Sequence, residues 1–112
     1  MPTYTDFLRD YARKNMEFVQ TIERQFAQLV DETRRSQATK RCHSFKPMKI
    51  HERHVIHELG EFYGLETHSL DPEPHRNVVA YATAGMCKIP PVLLSEYVRR
   101  EKLKVPPPVT QI

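Results

Sequence analysis

A run of apolar residues at helical spacing near the amino terminus constrains the fold of this chain more than any other feature. After Asn15, which stands where a helix N-cap is expected, apolar positions follow at intervals of four, four, three and one, and the pattern fades beyond Thr33. The residues of this stripe are Phe18, Ile22, Phe26, Leu29 and Val30. An apolar stripe on one face is typical of a helix that packs in a protein core, so we expect such a helix over residues 16–33.

The rest of the 112 residues predicts one small α+β domain, because a chain of this length forms one core and not two. The predicted elements are, in chain order, a short helix from Thr3 or Thr5 to Tyr11, the helix 16–33, an edge strand 42–45, a helix 51–63, two strands 66–70 and 77–83 joined by an acidic, proline-rich turn, and a last helix opened by Pro90 and Pro91. This order indicates a small three-stranded sheet with two main helices packed on one face, plus flanking amino- and carboxyl-terminal helices.

The ends of the predicted elements differ in how clearly they are marked. The helix 51–63 lacks a good N-cap, since Lys49 and Ile50 occupy the candidate positions. Gly64 supplies the left-handed residue that ends this helix, and Leu65 supplies the apolar residue that packs back on its last turn. The prolines 106–108 are expected to end the last helix in an extended tail. The predicted units are a helical lead-in over 1–15, the domain itself over 16–88, and a helix with a proline-rich tail over 89–112.

Composition excludes several classes of protein. No apolar run approaches the roughly 20 residues that cross a bilayer, and the acid-containing amino terminus is not expected to be a secretory signal. Two cysteines, Cys42 and Cys87, are too few for a disulfide framework or a four-cysteine zinc site, which favours reduced thiols. The chain has no glycine-rich phosphate loop and no serine elbow motif, so we expect neither an enzyme nor a cofactor.

The charge is small in total and unevenly distributed. Seventeen Lys and Arg against fourteen Asp and Glu leave +3, too mild a balance to indicate nucleic-acid binding by itself. Residues 33–51, however, hold six basic residues and no acidic one, whereas residues 52–76 hold two basic and six acidic ones. A basic block of this kind is either a solvated linker or the electrostatic footprint of phosphate binding.

The densest polar cluster lies on the predicted helix 51–63. Arg53 and His57 are four positions apart and therefore stand on one side of this helix, largely opposite its apolar face. We expect the pair to be exposed or half-exposed, so that replacing it costs little stability. A guanidinium suits phosphates, and an imidazole can donate, accept or stack. The alternative is that Arg53 pairs with Glu52 or other nearby acids and His57 with Glu61, as ordinary surface residues.

The context of this pair resembles a known family. The run from His51 to Leu65, which reads His-Glu-Arg-His-Val-Ile-His-Glu-Leu-Gly-Glu-Phe-Tyr-Gly-Leu, resembles the signature of the R-3-H domain, a family that binds single-stranded nucleic acids. The continuation Asp-Pro-Glu-Pro-His-Arg-Asn-Val-Val-Ala from Asp71 is similar to the copy in the X-box-binding nuclear transcription factor and shuttle craft family. The resemblance covers residues 5–85. The zinc-finger array of that family is absent from this sequence.

The resemblance implies a three-stranded sheet with two helices on one side, and it implies single-stranded DNA or RNA as the partner. We expect the chain to be a monomer. By motif position, Arg53 and His57 carry over as the pair that faces the nucleic acid, and Arg76 as the basic residue that opens the last strand. Lys46 and Lys49 are expected to contact phosphates beside them, and His54 a sugar or base edge. A nuclear location in a transcription regulator is implied, with a cytoplasmic one as the alternative.

Four positions depart from the family pattern. Lys49 and Ile50 stand where relatives often carry a Ser or Asn cap, Gly60 where alanine is usual, and His75 where lysine is common. The last two weaken a helix and remove a charge, which predicts lower affinity than in relatives.

Three other functions remain as alternatives. His51, His54 and His57 recur every three residues, which raises a zinc site, although they drift by about 60° per step around a helix. Cys42 has basic neighbours that favour a reactive thiolate. A protein-interaction module would use the acidic segment 52–73 and the carboxyl-terminal helix instead of the basic block.

Overall fold

Four helices and a three-stranded antiparallel sheet make up the part of the chain that the structure, a computed structural model, describes, namely residues 3–103. The elements are α1 (Asp6–Lys14), α2 (Met16–Arg35), β1 (Lys40–Ser44), α3 (Ile50–Phe62), β2 (Glu66–Leu70), β3 (Asn77–Thr83) and α4 (Leu94–Leu103). The predicted α+β class, with a small sheet and flanking terminal helices, is therefore confirmed. The tail predicted at the prolines 106–108 lies outside the described residues.

The sheet has the order β1-β3-β2, so that the last strand in sequence is central. Cys42 and Glu66 both lie opposite Tyr81 across the two antiparallel pairs. Because side chains alternate along each strand, this register defines two faces. The inner sheet face packs on the helices, and its central strand is fully buried at Val78 and Ala80. The outer sheet face consists of Lys40, Cys42, Ser44, Glu66, His68, Leu70, Asn77, Val79, Tyr81 and Thr83.

The helices α2 and α3 cover the inner sheet face, and their apolar stripes form most of the core. Phe26 from α2 contacts Tyr63, at the end of α3, with ring centroids 5.1 Å apart, and Phe45 at 5.9 Å. The stripe predicted for residues 16–33 is buried at Ile22, Phe26, Leu29 and Val30, with Phe18 partly buried. The helix α1 packs against α4, α2 and α3, so the flanking helices extend the same globule.

Helix ends follow local capping chemistry where the sequence provides it. Thr5 caps α1 by accepting a hydrogen bond from the Leu8 backbone N–H at 3.2 Å. The helix α3 ends in a Schellman motif, in which Leu65 N–H donates to the Gly60 carbonyl at 2.9 Å and Gly64 has a φ of +66°. At the start of α3, the Glu52 carboxylate accepts from the Lys49 backbone N–H at 2.9 Å, which partly compensates for the missing side-chain cap.

The last helix begins later than predicted. Pro90 and Pro91 do not open it, and α4 starts at Leu94. The physical reason is a cap supplied from another element, since the buried carboxylate of Glu23 on α2 accepts from the backbone N–H of Ser95 at 2.9 Å and from its hydroxyl at 2.7 Å. Between residues 3 and 103, no helix is both long enough and apolar enough to cross a membrane.

Candidate nucleic-acid interface

Arg53 is buried, contrary to the expectation of an exposed or half-exposed pair. Its side chain is only 6% exposed and lies between α3, the segment before α3 and the turn between β2 and β3. The guanidinium donates to the Met48 carbonyl at 2.5 Å and, through Nη2, to Glu73 Oε2 at 2.7 Å. Its carboxylate partner is therefore Glu73, 20 positions along the chain, rather than Glu52 beside it in sequence.

The burial of Arg53 has a structural consequence. A buried cation needs a carboxylate and further hydrogen bonds to compensate for the loss of water, and the planar guanidinium can satisfy several acceptors at once. Arg53 thereby connects two loops to the first turn of α3. Glu73 itself is 63% exposed on the turn between β2 and β3. The buried Arg53 side chain therefore holds the two loops of the site in position.

His57 lies one helical turn further along and is half-buried against β2. Its Nδ1 is 2.7 Å from the Thr67 hydroxyl and its Nε2 is 2.8 Å from the Ser69 hydroxyl, on the inner sheet face. Burial lowers the pKa of His57 below its usual value, and the nearby imidazole of His54 and guanidinium of Arg53 lower it further. A neutral ring with one donor and one acceptor nitrogen fits two hydroxyl partners, so His57 ties α3 to the strand. Glu61, the partner considered from sequence, is not used.

The exposed cations of the site come from two loops that the fold holds side by side. Phe45 N–H donates to the Val78 carbonyl at 2.9 Å, and Met48 N–H donates to the Arg76 carbonyl at 3.3 Å. These bonds bring the segment before α3 next to the start of β3. We call the resulting patch the basic loop surface, formed by Lys46, Lys49, His75 and Arg76.

The side chains of the basic loop surface are mostly free for a ligand. Lys46, Lys49 and His75 are exposed, and Arg76 is partly buried, with one contact to the Asp71 carbonyl at 3.3 Å. None of the ion pairs within residues 3–103 involves Lys46 or Lys49. Two acids reach the site: Glu73 is paired with Arg53, and the Glu52 carboxylate accepts from the Lys49 backbone N–H.

His54 faces away from this surface. Its ring stacks on Phe7 of α1 with centroids 4.3 Å apart, and its Nε2 lies 2.7 Å from Glu58 Oε2. The structure thus brings together five of the six residues expected at the site, namely Lys46, Lys49, Arg53, His57 and Arg76, and places His54 in the contact between α3 and α1.

Sequence reasoning missed the residues that hold the signature pair. Glu73, Thr67 and Ser69 lie in the turn and strand after α3, and no local spacing links them to the helix. The acidic, proline-rich turn was visible in the sequence, and a buried arginine in need of a carboxylate is the only signal that would have pointed to it.

The zinc alternative finds no cluster of ligands in the described residues. From residue 3 to residue 103, no three His, Cys, Asp or Glu side chains are grouped so that they can hold a metal ion. Both ring nitrogens of His57 are engaged by hydroxyls, and His54 is paired with Glu58. Cys42 is exposed on the outer sheet face, whereas Cys87 is buried.

Comparison with known proteins gives two results. The family model of the R-3-H domain matches residues 17–82, from the first turn of α2 to the end of β3. A protein of Schizosaccharomyces pombe, FKBP12-associated protein 1 homolog, is 32% identical over 93 residues, which cover 83% of this chain. The matched region is only 8% of that relative, so this chain corresponds to one small part of it.

Proposed function

This chain belongs to the R-3-H domain family, a family of single-stranded nucleic-acid-binding modules, and on that premise we propose that it binds single-stranded DNA or RNA through the basic loop surface around Arg53 and His57. The observation that carries the proposal is the backbone contact between Met48 and Arg76, because it joins cations from two loops into one patch. The family is a binding family, and the proposed activity is binding rather than catalysis.

The proposed roles divide the site into two groups of residues. Lys46, Lys49 and Arg76 neutralise phosphates, since both lysines are exposed, Arg76 is partly exposed, and the bond between Met48 and Arg76 holds their two loops together. Arg53 and His57 act as positioning residues, because their hydrogen bonds to Met48, Glu73 and β2 hold that surface in shape. Phosphate contacts set the position of a strand without reading its sequence, so the proposed binding is weakly sequence-specific.

The proposal is tested by anisotropy of a short labelled single strand, as DNA and as RNA, at about 50 and about 200 mM salt. The variant Lys46→Ala/Lys49→Ala/Arg76→Ala is expected to bind more weakly and to lower the slope of log K against log salt by about 2, given ~0.7 per lost phosphate contact. The control Lys14→Ala/Arg24→Ala/Arg99→Ala removes the same charge from exposed positions on α1, α2 and α4.

The control variant distinguishes the effect of where the cations lie from the effect of the lower net charge. We expect it to retain most of the affinity, because the removed cations lie away from the two loops. An equal loss in both sets would mean that only the overall charge matters, and absence of binding to either strand would refute the proposed function.

Protein binding remains the alternative function. Against it stands the packing of α4, whose apolar side already faces the core: Leu94 and Val98 are buried, and Ser95 is hydrogen-bonded to Glu23. A groove of about 550 Å³, lined by Tyr4, Phe62, Tyr97 and neighbouring residues of α4, is the feature that favours it. Unchanged nucleic-acid binding in the basic-loop variant would shift support to this alternative.

The cellular context is proposed on similarity alone. We infer a nuclear location within a transcription regulator, with a cytoplasmic pool as the alternative, because the signature is similar to that of X-box-binding nuclear transcription factors. A fluorescent fusion of the full-length protein tests this, and a signal confined to the cytoplasm would contradict it.

A further inference from the structure

The outer sheet face carries an aromatic ring that the proposed function does not use. Tyr81 lies on the central strand and is partly exposed, and the outer-face side chains of both edge strands are exposed. The helices α2 and α3 pack on the opposite side of the sheet, so solvent reaches this ring.

Side chains on the two edge strands contact the Tyr81 ring, and one of them is a cation. Lys40 Nζ lies over the ring, 5.1 Å from its centroid, and the His68 ring meets it edge-on with centroids 5.8 Å apart. Glu66, directly opposite on β2, lies 2.7 Å from His68 Nε2 and 4.0 Å from Lys40 Nζ. The hydrogen bond from His68 and the charge of Lys40 lower the pKa of Glu66, so its carboxylate is compensated by its neighbours.

This face is continuous with the basic loop surface. Ser44 ends β1 two positions before Lys46, and Asn77 begins β3 directly after Arg76. From Asn77 to Tyr81 the distance along the strand is about 13 Å, which a few nucleotides of an extended strand cover. A single strand held at Lys46 and Arg76 therefore reaches Tyr81 without passing a helix.

We propose that the outer sheet face is a second contact surface for the same single strand, on which one nucleobase stacks on Tyr81 while Lys40 contacts the phosphate of that nucleotide. This inference rests on the proposed function. The base takes the place of the Lys40 ammonium over the ring, and the flexible lysine stem allows the ammonium to reach the backbone. Stacking on an aromatic ring accepts any base, in keeping with weak sequence preference.

A nucleobase fits this face better than a protein partner does. The exposed apolar residues of the outer sheet face are few, and the large aliphatic one, Leu70, 45% exposed, lies opposite Asn77 at the far end of β2 from Tyr81. The remaining exposed positions are polar or charged, among them Lys40, Ser44 and His68. The centre of a protein interface is depleted in charged residues, whereas one base needs a single ring and a nearby cation.

The chain contains no tryptophan, so Tyr81→Trp introduces a single fluorophore at the proposed stacking position. Titration with an unlabelled single strand is expected to quench its emission, while a labelled strand reports binding independently by anisotropy. The matched control is Tyr11→Trp, which places the fluorophore on α1 at a similarly half-buried position and is expected to keep its emission. Tyr81→Ala is expected to weaken binding about tenfold and Tyr81→Phe to preserve it.

The outcomes distinguish this inference from the proposed function. Binding by anisotropy without quenching at position 81, or equal quenching at positions 81 and 11, overturns the stacking site and leaves the basic loop surface intact. Equal affinities for Tyr81→Ala and the wild type, with circular dichroism showing both folded, overturn it as well. No binding by the wild type overturns both proposals.

Discussion

At the residue scale, the signature pair is part of the framework of the candidate site. Arg53 is enclosed by Met48 and Glu73, and His57 by two hydroxyls of β2, so neither side chain is a free surface group. Two different kinds of residue therefore occur in one patch. Buried ones set the geometry, and exposed lysines and an arginine carry the charge.

Replacing Arg53 is consequently expected to destabilise the fold. Arg53→Ala removes charge-assisted hydrogen bonds to Met48 and Glu73 and leaves a space, which predicts a loss of about 2–4 kcal/mol in the free energy of unfolding measured with urea. Arg34→Ala, at an exposed end of α2, is the control and is expected to stay within about 0.5 kcal/mol of wild type. Equal effects of the two changes would show that Arg53 is not a buried anchor.

His57 gives the fold a pH dependence with a definite sign. Its pKa in the folded state is below the usual value of about 6.5, so the unfolded chain binds the proton more readily. The contribution of His57 to stability is therefore complete above about pH 6.5 and decreases as the pH falls toward the lowered folded pKa. Urea unfolding at several pH values, for the wild type and His57→Gln, isolates this part from the other histidines. A wild type no more sensitive to acid than the variant would contradict the assignment.

At the scale of elements, the end of α3 is determined by residues close to it in sequence, whereas the start of α4 is determined by a distant one. The end of α3 was predictable because Gly64 and Leu65 encode the Schellman motif within three residues of the helix. The start of α4 was not, because its cap, Glu23, is 72 positions away in sequence. The local pattern of Pro90 and Pro91 suggested an earlier start for α4, and the tertiary contact decided it.

Gly64 is expected to tolerate a side chain less well than Gly85. Both have positive φ, but a Cβ on Gly64 would collide with the Met86 carbonyl, whereas a Cβ on Gly85 has nothing within 4 Å. Gly85→Ala is predicted to cost about 1–2 kcal/mol from the left-handed backbone alone, and Gly64→Ala clearly more. Thermal unfolding of the two variants side by side measures the difference, and equal midpoints would argue against the close approach.

The attachment of α4 depends on the buried carboxylate of Glu23. Glu23→Ala leaves the backbone N–H and hydroxyl of Ser95 without their acceptor, which predicts a loss of about 1–3 kcal/mol. Hydrogen exchange is expected to accelerate at the first amides of α4 before those of β3. Glu17→Ala, exposed in the first turn of α2, is the comparison, and unchanged exchange in α4 would refute the role of Glu23 as its cap.

At the scale of the whole molecule, the architecture was predictable and the site only in part. Alternation in residues 77–83 and the helical spacing of the stripe on α2 depend on neighbours in sequence, and both elements occur where they were expected. The burial of Arg53 depends on Glu73, and the position of His54 depends on Phe7, so these features arise only when distant segments pack. The small net charge is likewise informative only after the fold joins the loops that contain Lys46 and Arg76.

The most direct test of the central claim is an NMR titration of the isotope-labelled protein with a short single strand, followed amide by amide. Binding at the basic loop surface predicts the largest shifts at Lys46, Lys49, His75 and Arg76, with small shifts along α4. Shifts concentrated around Tyr97 and the groove beside α4, or no shifts with either DNA or RNA, would contradict it.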